Sequence, residues 1–484
     1  MIGLSTVAEV RAAEDVLLAR TREGALMQRA ATGLATVCLR LLGRAPGARV
    51  TVLAGGGNNG GDALFAGARL AARGARVTAV LLAPDRAHPA GLAALRRAGG
   101  RVTGPDGPDG LDRADLVLDG IVGIGGRGGL RPDAARLADR AATGPGTTVA
   151  VDVPSGVDAD TGAVEGAAFA AVHTVTFGAV KPGLVVGEGR GYAGTVHLVD
   201  IGLGPHLAPA RAHQLTDDDV AAHLQPPGDV DDKYSRGVVG IVAGSATYPG
   251  AGVLCTGAAL RTRPGLVRYA GTAAEGVRAA WPEAIVTAGR PGDAGRVQAW
   301  VVGPGTGTDD DARSVLAEVL ATDLPVVVDA DALTMAAREP DLVRRRAAPT
   351  VLTPHDREFE RFGVAVGADR VGSARRLAAD LGAVVLLKGS ATVVADPGGT
   401  AFVNGTGTPE MATAGTGDVL SGILGALLAT GTPAAETAAA AAHLHGRAGQ
   451  VAAETGPLVA GDMVRRLSET VGRVRGTGLR DSGV

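Results

Sequence analysis

A chain of 484 residues with a net charge of −3 is long enough for two or three domains, and its near-balanced charge excludes bulk attraction to nucleic acid or an anionic membrane. Hydrophobic residues make up 46% but aromatics only 2%, so the cores must be built from Ala, Val and Leu, which suits parallel sheets covered by close-packed helices. The 75 glycines and 26 prolines punctuate apolar runs and form no low-complexity tract, which argues against disorder.

Residues 6–42 read as helix with a break near Glu23-Gly24, packed against the strands and helices after it. Acidic and basic residues at Glu9, Arg11, Glu14 and Asp15 leave no signal-peptide core, and no apolar run reaches membrane-spanning length. Cys38 and Cys255, the only cysteines, fall in apolar helical patterns and read as small buried hydrophobes in a reduced, cytoplasmic protein. A strand over 49–54 ends in Gly55-Gly56-Gly57-Asn58-Asn59-Gly60-Gly61-Asp62, followed by a helix over 63–73. Strand, glycine turn and helix is the arrangement that puts ligands at the carboxyl ends of parallel strands. Strands over 76–82, 116–119 and 147–151 come next, the last two running into Asp119 with a glycine-rich loop and into Asp152-Val153-Pro154-Ser155-Gly156. Each acid taken alone reads as a cap; together with the double-Asn loop they suit a monovalent cation or a ribose and pyrophosphate. A strand over 174–177 leads to Lys181 on a tight turn, which meets a phosphate or is a solvated turn residue.

Between 202 and 236 the pattern frays into Gly, Pro, His and Asp, a linker with a short helix at 217–224 and a boundary near Ala210. Strands then recur at 237–243, 299–302, 325–328, 350–353, 384–387 and 393–395, nearly all ending in small or functional residues. His355 comes after a proline at one such end and reads either as a satisfied loop histidine or as a substrate contact. Near the end, Ala412-Thr413-Ala414-Gly415-Thr416-Gly417-Asp418 feeds the apolar run at 419–428. A glycine-bracketed turn into a helix leaves free N–H groups that form an anion hole. A carboxylate there is costly unless it has a role. Asp418 is suited to take a proton from a hydroxyl that attacks a phosphoryl group, the bland alternative being an N-cap aspartate.

The order of these motifs resembles the NAD(P)HX epimerase domain fused to the ADP-dependent NAD(P)HX dehydratase domain of bifunctional nicotinamide-nucleotide repair enzymes. The likeness rests on NNGGD at 58–62, DVPSG at 152–156, TFGAVKPGL at 176–184, AGS at 243–245, GPGTG at 303–307, DADAL at 329–333, TPH at 353–355, LKG at 387–389, ATAGTGDVLSG at 412–422 and HLHGRAG at 443–449. It implies a Rossmann-like α/β/α epimerase domain over 1–210 and a ribokinase-like α/β/α dehydratase domain over 211–484.

In the first half the resemblance implies potassium bound through Asn59, Asp119 and Ser155. Substrate lies along Asn58, Asn59, Gly60, Gly61 and Asp62, along Gly123, Ile124, Gly125, Gly126, Arg127, Gly128 and Gly129, and at Asp152, the acid–base candidate. In the second half ADP is held by Lys388, Gly389, Ser390, Ala391, Thr392 and Gly417. The hydrated nucleotide contacts Ala251, Gly305 and His355, with Asp418 as base; Mg²⁺ is held by phosphates and water without protein ligands. A homo-oligomer is implied as well.

Three positions depart from the family pattern: Ala63 for a glycine, Ile124 for a threonine, and Asp356-Arg357 for Pro-Gly. They bear on the detail of substrate contacts. Two rival readings stand beside the resemblance. One is a ribokinase-like small-molecule kinase with a non-catalytic N-terminal domain, which leaves NNGGD and DVPSG unexplained. The other is a catalytically silent binding scaffold, against which the retained Asn59, Asp119, Asp152 and Ser155 weigh.

Overall fold

The computed structural model describes residues 1–107, 110–262 and 265–478, so the last six positions of the expected second domain lie outside it. The chain forms two units, one of residues Gly3–Arg211 and the other starting at Ala212 and including Met1–Ile2. The Met1 amino group lies 2.6 Å from Asp219.

The first unit is built on a seven-stranded, all-parallel sheet. From one edge its strands are Arg101–Thr103, Arg76–Leu81, Arg49–Ala54, Leu116–Gly120, Thr147–Val151, His173–Phe177 and Thr195–Val199. The order reverses between Arg49–Ala54 and Leu116–Gly120, and in such sheets the crevice at the reversal takes the ligand. Central strands read as continuous Val, Leu and Ala because both faces are covered. The helical stretch expected over 6–42 with a break near Glu23-Gly24 forms two helices, Val7–Leu18 and Ala25–Leu42, and the first is fixed by a capping box between Thr6 and Glu9.

The helix after Arg49–Ala54 starts at Asn58, so the double-Asn segment is its first turn and not a loop, as the sequence pattern had suggested. Small residues permit this: Gly60, Gly61, Ala63, Ala66 and Gly67 are all buried. Ala63 explains its own departure. A Cβ on Gly120 would lie 2.4 Å from the Ala63 Cβ, so the alanine methyl fills the gap against the central strand.

The second unit has an extended mixed sheet. Its strands run, in spatial order, Ala212–Gln214, Ala401–Asn404, Thr392–Ala395, Val384–Leu387, Thr350–Leu352, Val326–Val328, Ala299–Val302, Val238–Val242, Leu266–Ala270 and Ile285–Thr287. Pairing is parallel except on the two sides of Thr392–Ala395. The reversal falls between Val238–Val242 and Ala299–Val302. Four strands of this sheet, Ala212–Gln214, Leu266–Ala270, Ile285–Thr287 and Ala401–Asn404, were not expected; the first lies inside the stretch read as linker.

The helix Thr416–Leu428 runs through the core with every residue from Val419 to Leu428 buried. It lies so close to the helix Pro249–Thr262 that a Cβ on Gly422 would stand 2.2 Å from the Cys255 carbonyl oxygen. Full burial of each Leu or Ile contributes about 1.5–3 kcal/mol, so this helix cannot shift without a large loss. Its first turn is therefore a fixed platform. Both cysteines are free and buried, and burial pushes the Cys38 thiol up to about 12. Among the described residues no helix is long and apolar enough to cross a membrane.

Candidate functional site

In the first unit a cavity of about 470 Å³ opens at the strand reversal. Asn58, Asn59, Asp62, Gly123, Ile124, Gly125 and Asp152 all line it, as do Arg11, Glu14 and Lys181. Gly60 and Gly61 lie buried in the helix, while Gly126, Arg127, Gly128 and Gly129 stand off the wall. Ile124 is thus the departure that reaches the cavity.

Asp152 ends its strand with φ 69°, a left-handed conformation that a non-glycine residue adopts at a cost of about 1–3 kcal/mol. The turn is over-determined by hydrogen bonds. Asp152 Oδ1 accepts from Lys181 Nζ at 2.5 Å, Thr176 Oγ1 at 3.1 Å and the Phe177 amide at 3.2 Å. Lys181 is 1% exposed, and it also donates to Thr176 Oγ1 and the Phe177 carbonyl. Both readings of Lys181 are corrected: it is neither solvated nor a free phosphate ligand, because it is the buried counter-charge of Asp152.

Two further acids face the same space. Asp62 Oδ1 is buried with no hydrogen-bond partner among the described residues, and burial, then Asp152 and Glu14, push its carboxyl well above the usual range. Burial, then Asp152, raises Glu14 as well. Glu14 and Arg11 escaped the sequence reading because their helix was taken only as packing.

Behind the cavity wall Asp119 is fully buried. It accepts from Ser155 Oγ at 2.6 Å, the Ser155 amide at 2.8 Å and the Ile121 amide at 3.2 Å. Burial pushes it up to about 6, against these hydrogen bonds, and no cationic side chain among the described residues pairs with it. Ser155 Oγ also contacts the Val122 carbonyl at 3.0 Å, and Asn59 keeps a buried amide nitrogen unsatisfied. A buried carboxylate without counter-charge, ringed by hydroxyl, amide and carbonyl groups, fits a hard monovalent cation.

In the second unit Asp418 sits in the first turn of Thr416–Leu428, whose N-cap is Gly415 with φ 88°. It is therefore not the N-cap aspartate of the bland reading. Burial, then repulsion from Asp329, pushes its carboxyl up to about 6, while Lys388 pulls it back. Asp329, at the end of Val326–Val328, goes the other way: burial alone would raise it, but Lys388, Ser421 and Thr353 hold it below the usual range. Lys388 Nζ lies 2.8 Å from Asp329 Oδ1 and 3.7 Å from Glu358 Oε2, and Ser421 Oγ lies 2.7 Å from Asp329 Oδ2. Two carboxylates whose environments push their proton affinities apart are suited to different roles, with Asp418 the one poised to exchange a proton near neutrality.

The Lys388 ammonium would stand 3.7 Å from a Cβ on Gly417, so the lysine and the helix N-terminus meet at one point. Gly389 and Ser390 are beside it, Ala391 is buried, and Thr392 begins a strand. Arg370 clamps this turn: it donates to both oxygens of Asp356 at 2.9 Å and to the Lys388 carbonyl at 2.9 Å. The departure at Asp356 thus supplies the partner of that clamp.

His355 is the N-cap of the helix Asp356–Glu360; its Nδ1 accepts from the Glu358 amide at 3.3 Å, and the ring stays half exposed. Ala251 and Gly305 come together across the strand reversal, a Cβ on Gly305 lying 2.9 Å from the Ala251 Cβ. His445 is held neutral: burial lowers it to about 4, and its Nε2 donates to the Thr416 carbonyl at 2.8 Å, at the start of the Asp418 helix. A cavity of about 870 Å³ elsewhere in this unit is lined by residues such as Leu320, Arg338 and Arg346. Arg346 is committed there to the Thr322 and Leu324 carbonyls, and none of the residues above lines it.

Comparison with known proteins gives the two halves separate counterparts. Residues 23–183 match the family model described as YjeF-related protein N-terminus, and residues 239–472 match the one described as NAD(P)H-hydrate dehydratase. The chain is similar to the bifunctional NAD(P)H-hydrate repair enzyme Nnr of Mycobacterium leprae, 52% identical over 97% of this chain and 98% of that protein. The Nnr of Escherichia coli is 35% identical over 87% of this chain and 84% of its own length. Among solved structures, a ribokinase-like superfamily protein of Enterococcus faecalis matches 55% of this chain and 98% of its own, at 26% identity and a TM-score of 0.50. The chain belongs to the family of bifunctional NAD(P)H-hydrate repair enzymes.

Proposed function

We propose that residues 1–210 epimerise the R and S hydrates of NAD(P)H, and that residues 211–484 dehydrate the S hydrate with ADP as co-substrate, releasing AMP and phosphate. Membership of the repair family supports both activities and weighs against the small-molecule kinase with a non-catalytic N-terminal domain. The observation that carries the mechanism is Asp418, poised near 6 at the start of a buried helix beside the Asp329–Lys388 pair.

Asp418 takes the proton of the ring hydroxyl as that oxygen attacks the β-phosphorus of ADP; the P–O bond to AMP breaks and AMP leaves. The ring nitrogen's electron pair then expels phosphate, and the neighbouring carbon loses a proton to solvent to restore the double bond. Hydroxide is a poor leaving group and phosphate a good one, which is why a kinase-like site serves a dehydration. Lys388 and the amide groups around Gly417 stabilise the oxygens that gain charge. The nucleotide would lie along Lys388, Gly389, Ser390, Ala391, Thr392 and Gly417, and the hydrate against Ala251, Gly305 and His355. Mg²⁺ would be held by nucleotide phosphates and water.

In the first half Asp152 exchanges the proton with the hydrate, its oxygen fixed by Lys181, Thr176 and Phe177. Asn59, Asp119 and Ser155 would hold potassium, which supplies the charge that Asp119 lacks. The resemblance also supports a cytoplasmic homo-oligomer.

The test is incubation with ADP and hydrated NADH, following the return of dihydronicotinamide absorbance. Recovery is expected with the parent and not with Asp418→Asn. Full activity of Asp418→Asn would overturn the mechanism, and absence of recovery with either ADP or ATP would overturn the assignment.

A further inference from the structure

The epimerase cavity has a charge problem. Three carboxylates face it, Glu14, Asp62 and Asp152, against two cations, Arg11 and Lys181. Lys181 is consumed by Asp152 at 2.5 Å and buried behind it. A dinucleotide hydrate brings a dianionic pyrophosphate into this space, and that group must lie away from the acids and near a cation.

Arg11 is the cation that remains, its charge shared only with Glu14 on the same helix. It is exposed at the cavity rim, forms no ion pair among the described residues, and its Nη2 would stand 3.4 Å from a Cβ on Gly125. Guanidinium and glycine-loop amides thus border the same part of the rim. The helix Val7–Leu18 puts Arg11 and Glu14 three residues apart, on one face, and the Thr6–Glu9 capping box anchors that helix one turn before Arg11. The cavity is also lined by apolar side chains, Leu18, Leu26, Met27 and Ile201. The exposed guanidinium of Arg11 is thus the one cationic group on this cavity, among the described lining residues, that an anion can reach from solvent.

We propose that Arg11 binds the pyrophosphate of the hydrated dinucleotide and so directs its nicotinamide end inward to Asp152. The inference rests on the epimerase reading of this half. It makes Arg11 a binding and positioning residue, with the planar fork matched to phosphate oxygens.

The experiment measures interconversion of the R and S hydrates of NADH by parent, Arg11→Ala and Arg11→Lys proteins, each checked for an unchanged melting curve. The expected result for Arg11→Ala is a KM raised about 10- to 100-fold with kcat nearly unchanged, as loss of a charge-assisted contact predicts. Arg11→Lys should fall between. Inorganic pyrophosphate should inhibit the parent competitively and Arg11→Ala at least tenfold more weakly, a readout that a structural role would not move. An unchanged KM and an unchanged pyrophosphate inhibition constant in Arg11→Ala would overturn the proposal while the parent's activity leaves the epimerase reading standing. A parent that interconverts no hydrates would overturn both.

Discussion

Replacing Lys181 by Met leaves the Asp152 carboxylate buried without its counter-charge, in a backbone conformation that already stores strain. The pair is closely enclosed: the lysine is 1% exposed, the aspartate side chain 12%, and the atoms are 2.5 Å apart. The hydrogen bonds from Thr176 and Phe177 remain but are neutral. Breaking a buried pair from one side costs about 3–5 kcal/mol. At about 2–4 °C per kcal/mol for a unit of this size, the melting transition of the first unit should fall by roughly 6–20 °C. Asp152→Asn/Lys181→Met removes both charges and should regain most of that loss, since neutral replacement of a buried pair is often harmless to stability.

Calorimetry that resolves the transitions of the two units, at fixed salt and pH, measures the four corners of this double-mutant cycle. Neither variant that lacks Lys181 should epimerise hydrates, whereas ADP-dependent dehydration by the other half should persist. The reasoning fails if Lys181→Met melts with the parent. It fails equally if the double variant's loss is the plain sum of the two single losses.

Other outcomes concern the second unit and the cation site. Because Asp418 must be ionised to accept a proton and sits near 6 through burial and the repulsion of Asp329 and Asp331, offset by Lys388, dehydratase kcat/KM should rise through about pH 6 and level off above it; a rate flat from pH 5 to 7 in buffers of ~0.1 M ionic strength contradicts that role. Asp418→Asn should lower kcat by about 10²–10⁴. Arg370→Ala frees the Lys388 carbonyl and Asp356 together, and steady-state kinetics should show a higher KM for ADP with a smaller change in kcat. Exchanging potassium for tetramethylammonium should slow epimerisation and leave dehydration unaffected, and Asp119→Asn should remove the sensitivity to potassium.

Much of the layout was legible because each signal is local. A glycine turn after a β-branched run, an acid at a strand end and a small-residue turn before an apolar helix are all written within about ten residues. The strands carrying Asp119, Asp152 and the second-unit motifs stand where the alternation of runs and turns put them. What escaped depends on partners far away in the chain. Lys181 looks like a turn lysine until the fold sets it against Asp152, 29 residues earlier. Asp356 looks like a departure from pattern until Arg370 reaches it.

Sequence by itself determined the two α/β units, the family, and which residues could bear charge at strand ends, since composition, period and motif order are properties of the chain alone. Tertiary structure alone decided the electrostatics. Whether a carboxylate is poised near neutrality, as Asp418 is, or locked ionised, as Asp329 is, depends on burial and on charges brought from distant segments. The same holds for Arg11 and Glu14, two ordinary helix residues until the strand reversal opens a cavity beside them.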